Sequence, residues 1–320
     1  MTTIGRGPLL ARATLDRAPH RRTDEAWLAE AWPRARVVVV DTSSGTRTLA
    51  RTIEERVELV LLTAADLPEV APEDRLFLGL DADGVPVFAV DMPLPSVPGA
   101  SAVSLRAVGH LLDDRDVGLY TTAAALANWH AAYRFAPRTG QRTRACDGGW
   151  ARIDADGNQI WPRTDPAMIV LVHDGVPGPD GRCLLGRNVA WGTSPDLRRF
   201  SCFAGFVEPG ESAESAVVRE VREEVGIGVD HIRYMGSQAW PYPGSLMLGF
   251  WAEADPQQPL QPNPTEIAEA RWFRRRDIAA VLAGERVDAD GARVALPPPA
   301  SIAHYLIATW LSASDAERAP

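Results

Sequence analysis

Residues 205–226 read GFVEPGESAESAVVREVREEVG, with six glutamates in twenty-two positions. Ser212 reads as an N-cap, with Glu214 in the first turn where the helix dipole favours negative charge. Gly226 reads as the C-terminal stop. A helix between them turns about 100° per residue, so Glu220, Glu223 and Glu224 share one arc of about 100°. Like charges three and four residues apart repel by roughly 0.2–0.5 kcal/mol per pair. Val217, Val221 and Val225 form an apolar stripe beside that arc, which can seat the helix on a sheet. Ala213 and Ala216, upstream on the carboxylate side, are small and are expected to leave open space over the arc. Either the arc is a solvated acidic face, or a bound cation relieves the repulsion. Three carboxylates around a cavity form a hard-oxygen site suited to Mg²⁺ or Mn²⁺.

The spacing of the whole stretch decides between these readings. It runs Gly205, five residues, Glu211, seven residues, then Arg219-Glu220-Val221, one residue, Glu223-Glu224, one residue, Gly226-Ile227. With each type at about one in twenty, the seven fixed positions recur by chance on the order of 10⁻⁹ per start. The pattern resembles the Nudix hydrolase signature at every defined position. The resemblance implies an α/β (α+β) fold: an α/β/α sandwich with a mixed sheet, preceded here by a smaller α/β domain. It implies structural parts for Gly205, Glu211 and Arg219, with Arg219 paired to Glu211. It further implies that Glu220, Glu223 and Glu224 hold the metals and carry catalysis, with the Ala204 carbonyl as a further ligand. Glu224 and Glu223 are the candidates for general base, and the sequence does not choose between them.

The segment SQAWPYPGSLM at 237–247 resembles the S-Q-P-W-P-F-P-x-S pattern of the NAD(H) pyrophosphatase branch, with Ala239 for the first proline and Tyr242 for phenylalanine. On its own it could be a proline-stiffened loop around a core tryptophan. Aromatic faces bind flat heterocycles by stacking. The resemblance implies that Phe206 and Trp240 clamp the nicotinamide ring. It also implies substrate contacts from Gln238, Ala239, Pro241, Tyr242, Pro243, Gly244 and Ser245. In this family the tryptophan reaches in from the partner subunit, which implies a homodimer. NPTEIAEARWF at 263–273 resembles the family's N-x-x-E-I-x-x-A-x-W-F strand. That likeness makes Glu266 a fourth carboxylate of the metal site, against the plainer reading of a surface acid at a strand edge. By the same resemblance Ala303, in SIAHYLI, matches a substrate-contacting position. Trp161, in WPRTDPAMI, stands where a substrate-facing tyrosine is usual, and could equally be core.

The expected organisation is an N-terminal α/β domain over 1–130, a connector over 131–164 and the Nudix domain over 165–320. Apolar runs at 35–41, 57–63, 75–81 and 85–91 have the length and β-branched content of buried strands, and 116–134 reads as a helix. Further strands are expected at 167–174, 182–188, 232–240, 245–254 and 267–273, with short helices at 276–283 and 300–312. Many relatives carry a four-cysteine zinc ribbon in the connector. Here Ala136 and Thr139 stand where thiolates would, and IDAD at 153–156 supplies none. Tetrahedral zinc needs four donors, so no zinc is expected. Asp147, Trp150 and the glycines are expected to keep the ribbon's path by packing alone, with Cys146 a bystander.

The net charge of -9 and pI near 5.2 argue against bulk polyanion binding, and the basic residues are all arginine. Three scattered cysteines argue against a disulfide scaffold. No run approaches the roughly 20 apolar residues of a membrane span, and the start lacks a secretory h-region. These features read as a cytoplasmic protein. The expected reaction is metal-dependent hydrolysis of the pyrophosphate in NADH or NAD⁺, giving nicotinamide mononucleotide and AMP. Removal of NAD caps from RNA 5′ ends is an extension of the same chemistry. The alternatives are a Nudix enzyme for another nucleoside-diphosphate compound such as ADP-ribose, and a non-catalytic nucleotide sensor.

Overall fold

The computed structural model describes residues 7–54, 56–192 and 194–313. They fall into two compact units. One holds Leu9–Thr164 together with Ala239–Ser245; the other holds 165–238 and 246–313, with Gly7 and Pro8.

The second unit is built on a six-stranded sheet. Its strands lie in the order Asp230–Trp240, Ser245–Glu253, Asp165–His173, Arg182–Asn188 and Ile267–Arg274, and Phe203–Phe206 pairs with Asp165–His173 beside this path. Alternate side chains of a strand point to opposite faces. Met168, Val170, Val172, Leu184 and Phe250 therefore face the helix Ala213–Val225, through its Ala216, Val217, Val221 and Val225. Ile169, Leu171, Cys183, Leu185 and Trp251 face the other way. They meet Ile278 of the helix Arg275–Leu282 and Ile302, Leu306 and Trp310 of the helix Ile302–Ser312. Two apolar clusters on one sheet make three layers, the sandwich expected from the resemblance. A small sheet, Leu197–Arg199 parallel to Ala292–Ala295 with Asp288–Ala289 antiparallel to the latter, is too short to show a period in the sequence.

The first unit carries a seven-stranded sheet with the path Arg56–Leu59, Arg47–Ile53, Arg36–Asp41, Pro86–Asp91 and Leu76–Leu80. Arg36–Asp41 runs parallel to Pro86–Asp91 and antiparallel to Arg47–Ile53, so the sheet is mixed. The run 57–63, expected as one strand, is two: Arg56–Leu59 pairs with Arg47–Ile53, and Leu62–Thr63 pairs with Arg36–Asp41. The chain crosses between partners there, and apolarity alone does not mark the crossing. The helix Asp114–Ala132 is capped by Asp113 and buries Leu119, Tyr120, Ala123, Leu126 and Ala127.

Residues 131–164, expected to follow the ribbon's path through packing alone, form a three-stranded antiparallel sheet tied by hydrogen bonds as well. Buried Asp154 accepts from the backbone of Asp156 (3.1 Å) and Asn158 (2.8 Å), from the Asn158 amide and from Thr139 Oγ1 (3.4 Å). Trp150 Nε1 donates to the Phe77 carbonyl (2.7 Å), and Gly149 sits where a Cβ would come within 2.6 Å of Leu76. Among the described residues, no helix is long and apolar enough to cross a membrane.

Candidate active site

Ser212 caps the helix Ala213–Val225 by accepting from Ser215 N (3.1 Å). Gly226 ends it at φ +77°, where a side chain would be strained. Val217, Val221 and Val225 are fully buried against the sheet. Ala216 is buried with them, so it does not hold space open over the carboxylates. It packs instead into the apolar cluster that includes Phe203 of the strand Phe203–Phe206. Gly205 of that strand faces Glu220 so closely that a Cβ would lie 2.0 Å from its carboxylate. The glycine is the place where the carboxylate sits.

Arg219 organises the negative charge. Nε and Nη2 donate to the two oxygens of Glu211 at 2.9 Å each, a bidentate pair. Nη2 also reaches the Phe206 carbonyl (2.9 Å), while Nη1 bonds Glu220 (2.9 Å) and Glu223 (3.1 Å). Glu211 in turn accepts from Glu208 N (3.1 Å), which ties the loop to the helix. The bonds from Arg219 hold the Glu211 carboxyl below the usual carboxylate range. Burial raises the Glu220 carboxyl, and Arg219 opposes that rise.

Glu224 has no such partner. It is 5% exposed, and its Oε2 is buried with no hydrogen bond. Burial, then the charges of Glu220, Glu266 and Glu223, push its carboxyl up to about 8. An orphaned buried carboxylate oxygen among like charges is costly unless a cation or proton joins it.

Glu266 is brought here by the end of the same helix. The last carbonyls of a helix need outside donors. Gln261 N donates to the Val225 carbonyl and Asn263 N to the Glu224 carbonyl, both at 2.9 Å. Asn263 then accepts from Glu266 N (3.0 Å), and the Glu266 carbonyl accepts from Val189 N (2.8 Å). The strand pairing sets Ala204 opposite Ile169, with Ala204 exposed and Phe206 61% exposed beside it. Gln238 and Ala303, the remaining candidates in this unit, are both buried. Gln238 is 1% exposed and donates to the Ala300 carbonyl (3.1 Å); Ala303 is 1% exposed within the apolar cluster.

Two family models match the chain: a NUDIX domain over 164–292 and an NADH pyrophosphatase-like rudimentary NUDIX domain over 32–129. A protein of Mycobacterium tuberculosis named NAD-capped RNA hydrolase NudC is 41% identical over 310 residues, 95% of this chain and 94% of that one. The chain belongs to the Nudix hydrolase family. A human relative named NAD-capped RNA hydrolase NUDT12 is 37% identical over 211 residues, covering 62% of this chain and 43% of its own length.

Nudix enzymes generally use divalent metals, and this Nudix box fits one. Its donors are all oxygen, the orphaned Glu224 Oε2 calls for a cation, and Gly205 leaves room for Glu220. The remaining predicted contacts, Ala239 to Ser245 and Trp161, belong to the first compact unit. Trp161 is 61% exposed. Trp240 and Tyr242 meet edge to face at 5.4 Å between centroids, Pro241 is buried, Pro243 is exposed and follows a cis peptide, and Gly244 and Ser245 are half-buried. The sequence reading took no role from Asn263, although its place three residues before Glu266 was the available signal.

Proposed function

We propose that this Nudix hydrolase splits the pyrophosphate of NADH or NAD⁺ into nicotinamide mononucleotide and AMP, and acts likewise on NAD-capped RNA 5′ ends. The observation that carries the reading is Glu224, a buried carboxylate with an unpartnered oxygen beside other carboxylates. A nucleotide sensor has no use for so costly a group. The dinucleotide preference is supported by the relatives' names and by the aromatic loop.

Glu220, Glu223, Glu224, Glu266 and the Ala204 carbonyl would hold Mg²⁺ or Mn²⁺. Bound there, the ion neutralises the phosphate oxygens and makes a nearby water more acidic. Arg219 fixes Glu220 and Glu223 in place and anchors the loop through Glu211. Glu224 takes the proton of the attacking water. Glu223 is engaged by Arg219 while Glu224 Oε2 is unpartnered, which favours Glu224 over Glu223 for this part. Attack at one phosphorus breaks its bond to the bridging oxygen, which leaves with AMP or the mononucleotide. Phe206 presents an exposed ring on which a flat base can stack, and in the homodimer of this reading the partner subunit's Trp240 supplies the second face.

The reading includes a homodimer, no zinc, and a cytoplasmic setting, the last supported by three free thiols. The test is AMP release from NADH, NAD⁺, ADP-ribose and NAD-capped RNA with Mg²⁺ or Mn²⁺, for wild type and Glu224→Gln. We expect wild-type turnover, with NADH preferred over ADP-ribose, and a loss of about 10²–10⁴-fold in the variant. A wild type that binds NADH without cleaving it would mark a sensor. A preference for ADP-ribose would move the enzyme to another Nudix branch.

A further inference from the structure

The compact unit that holds the N-terminal sheet also holds the loop Ala239–Ser245, and one side chain of its long helix joins the two. Asn128, on the helix Asp114–Ala132, donates from Nδ2 to the Pro241 carbonyl (2.7 Å) and accepts at Oδ1 from Thr46 Oγ1 (2.8 Å). A carbonyl can only accept, so the amide can be oriented in one way only. Thr46 is itself held: it is 4% exposed, and its carbonyl accepts from Tyr120 Oη (2.7 Å) on the same helix. Proline has no N–H, so the Pro241 carbonyl is the one backbone hydrogen-bonding group that residue can offer. On either side of it stand Trp240 and Tyr242, with the Arg106 guanidinium 5.2 and 4.3 Å from their ring centroids. The amide thus grips the loop between its two aromatic rings.

We propose that Asn128 is a positioning residue for the dinucleotide reaction: through the Pro241 carbonyl it sets the Trp240–Tyr242 loop that selects the substrate. This rests on the function proposed above and gives the rudimentary N-terminal domain a task, holding a recognition loop rather than doing chemistry. The Asn128→Asp variant keeps the shape and the Thr46 bond but turns an acceptor toward the Pro241 carbonyl. Asn128→Ala removes both bonds, and Thr46→Val removes the support while Thr46→Ser keeps it.

The experiment measures NADH kinetics, melting temperature and hydrogen–deuterium exchange on the full chain with Mn²⁺. We expect Asn128→Asp and Asn128→Ala to raise KM for NADH about tenfold with kcat within about twofold, the mark of lost uniform binding. Thr46→Val should move KM the same way by less, and Thr46→Ser should leave it unchanged. Amides in 239–245 should exchange faster in both Asn128 variants, with the helix Asp114–Ala132 unchanged. Unchanged exchange at 239–245 overturns the proposal, as does an unchanged KM in an active enzyme. A lower melting temperature with faster exchange throughout the unit makes Asn128 merely structural and overturns it too. Exchange needs no turnover, so an inert wild type defeats the function proposed above while the loop's protection still decides the anchor.

Discussion

Glu224 makes the metal-free protein sensitive to pH in a direction unusual for a carboxylate. Its folded value is about 8 against an ordinary 4.5, so the folded chain binds this proton more tightly than the unfolded chain. The stability from that proton is fully present below about 4.5 and is lost as pH rises through about 8. At about 1.4 kcal/mol per pH unit, the gap between the two values bounds the loss at about 5 kcal/mol. Relaxation and water entry reduce it, so about 2–3 kcal/mol is the working figure. For a domain of this size each kcal/mol shifts the melting temperature by about 2–4 °C, giving a fall of about 4–12 °C. The assay is thermal melting in chelator from pH 5 to 8.5, comparing wild type with Glu224→Gln. The difference between the two curves cancels groups elsewhere in the chain. Wild type should fall relative to the variant as pH rises, and Mg²⁺ or Mn²⁺ should restore wild type and not the variant. A difference that stays constant across this range, or that grows toward low pH, refutes the reasoning.

Three further outcomes follow from other contacts. Gly205→Ala forces a Cβ to within 2.0 Å of the Glu220 carboxylate; overpacking of this kind costs about 1–3 kcal/mol, and displacing Glu220 should cut kcat by at least about tenfold, read by melting and NADH turnover. Arg219→Lys keeps the charge but loses the bidentate hold on Glu211 and the reach to Phe206 and Glu220; metal affinity should fall about 10–100-fold in a Mn²⁺ titration. Asp154→Ala should lower the melting temperature modestly, because it removes the carboxylate that gathers Asp156 N, Asn158 N and the Asn158 amide into one turn, whereas a zinc-selective chelator should leave wild type unchanged.

The parts of this chain that could be read in advance are those whose physics is local. The box helix announced its cap, its stop and its apolar stripe within fifteen residues, 212–226, and the strands Arg36–Asp41 and Pro86–Asp91 of the first unit showed their apolar, β-branched runs. What stayed hidden depends on partners distant in sequence. Ala216 was misread because a small residue on the carboxylate side can open a space or pack into the core, and the choice rests with what the sheet brings against it, here the cluster with Phe203 and Met168. The Asp154 network was invisible because Thr139 and Asn158 carry no mark that they converge. Asn128 carries no mark of its contact in the sequence, since its acceptor lies 113 positions away.

The charge at the box makes one last demand. Glu211 and Arg219 cancel as a bidentate pair, which leaves Glu220, Glu223, Glu224 and Glu266, four negative charges when all are ionised. One divalent cation halves that charge, and a dinucleotide then adds about two more through its pyrophosphate. Such a complex still carries about four negative charges in a partly buried site, where like charges interact by several kcal/mol per pair at short range. The substrate should therefore bind only with more than one cation in place. Turnover of NADH at fixed enzyme should rise with Mg²⁺ or Mn²⁺ concentration with a slope above one on logarithmic axes. Glu266→Gln removes one charge and should move that slope toward one, at some loss of rate. A strictly first-order dependence on metal in wild type would mean that protons, not cations, neutralise the remaining carboxylates, and Glu224 would then be a general acid held protonated rather than the base.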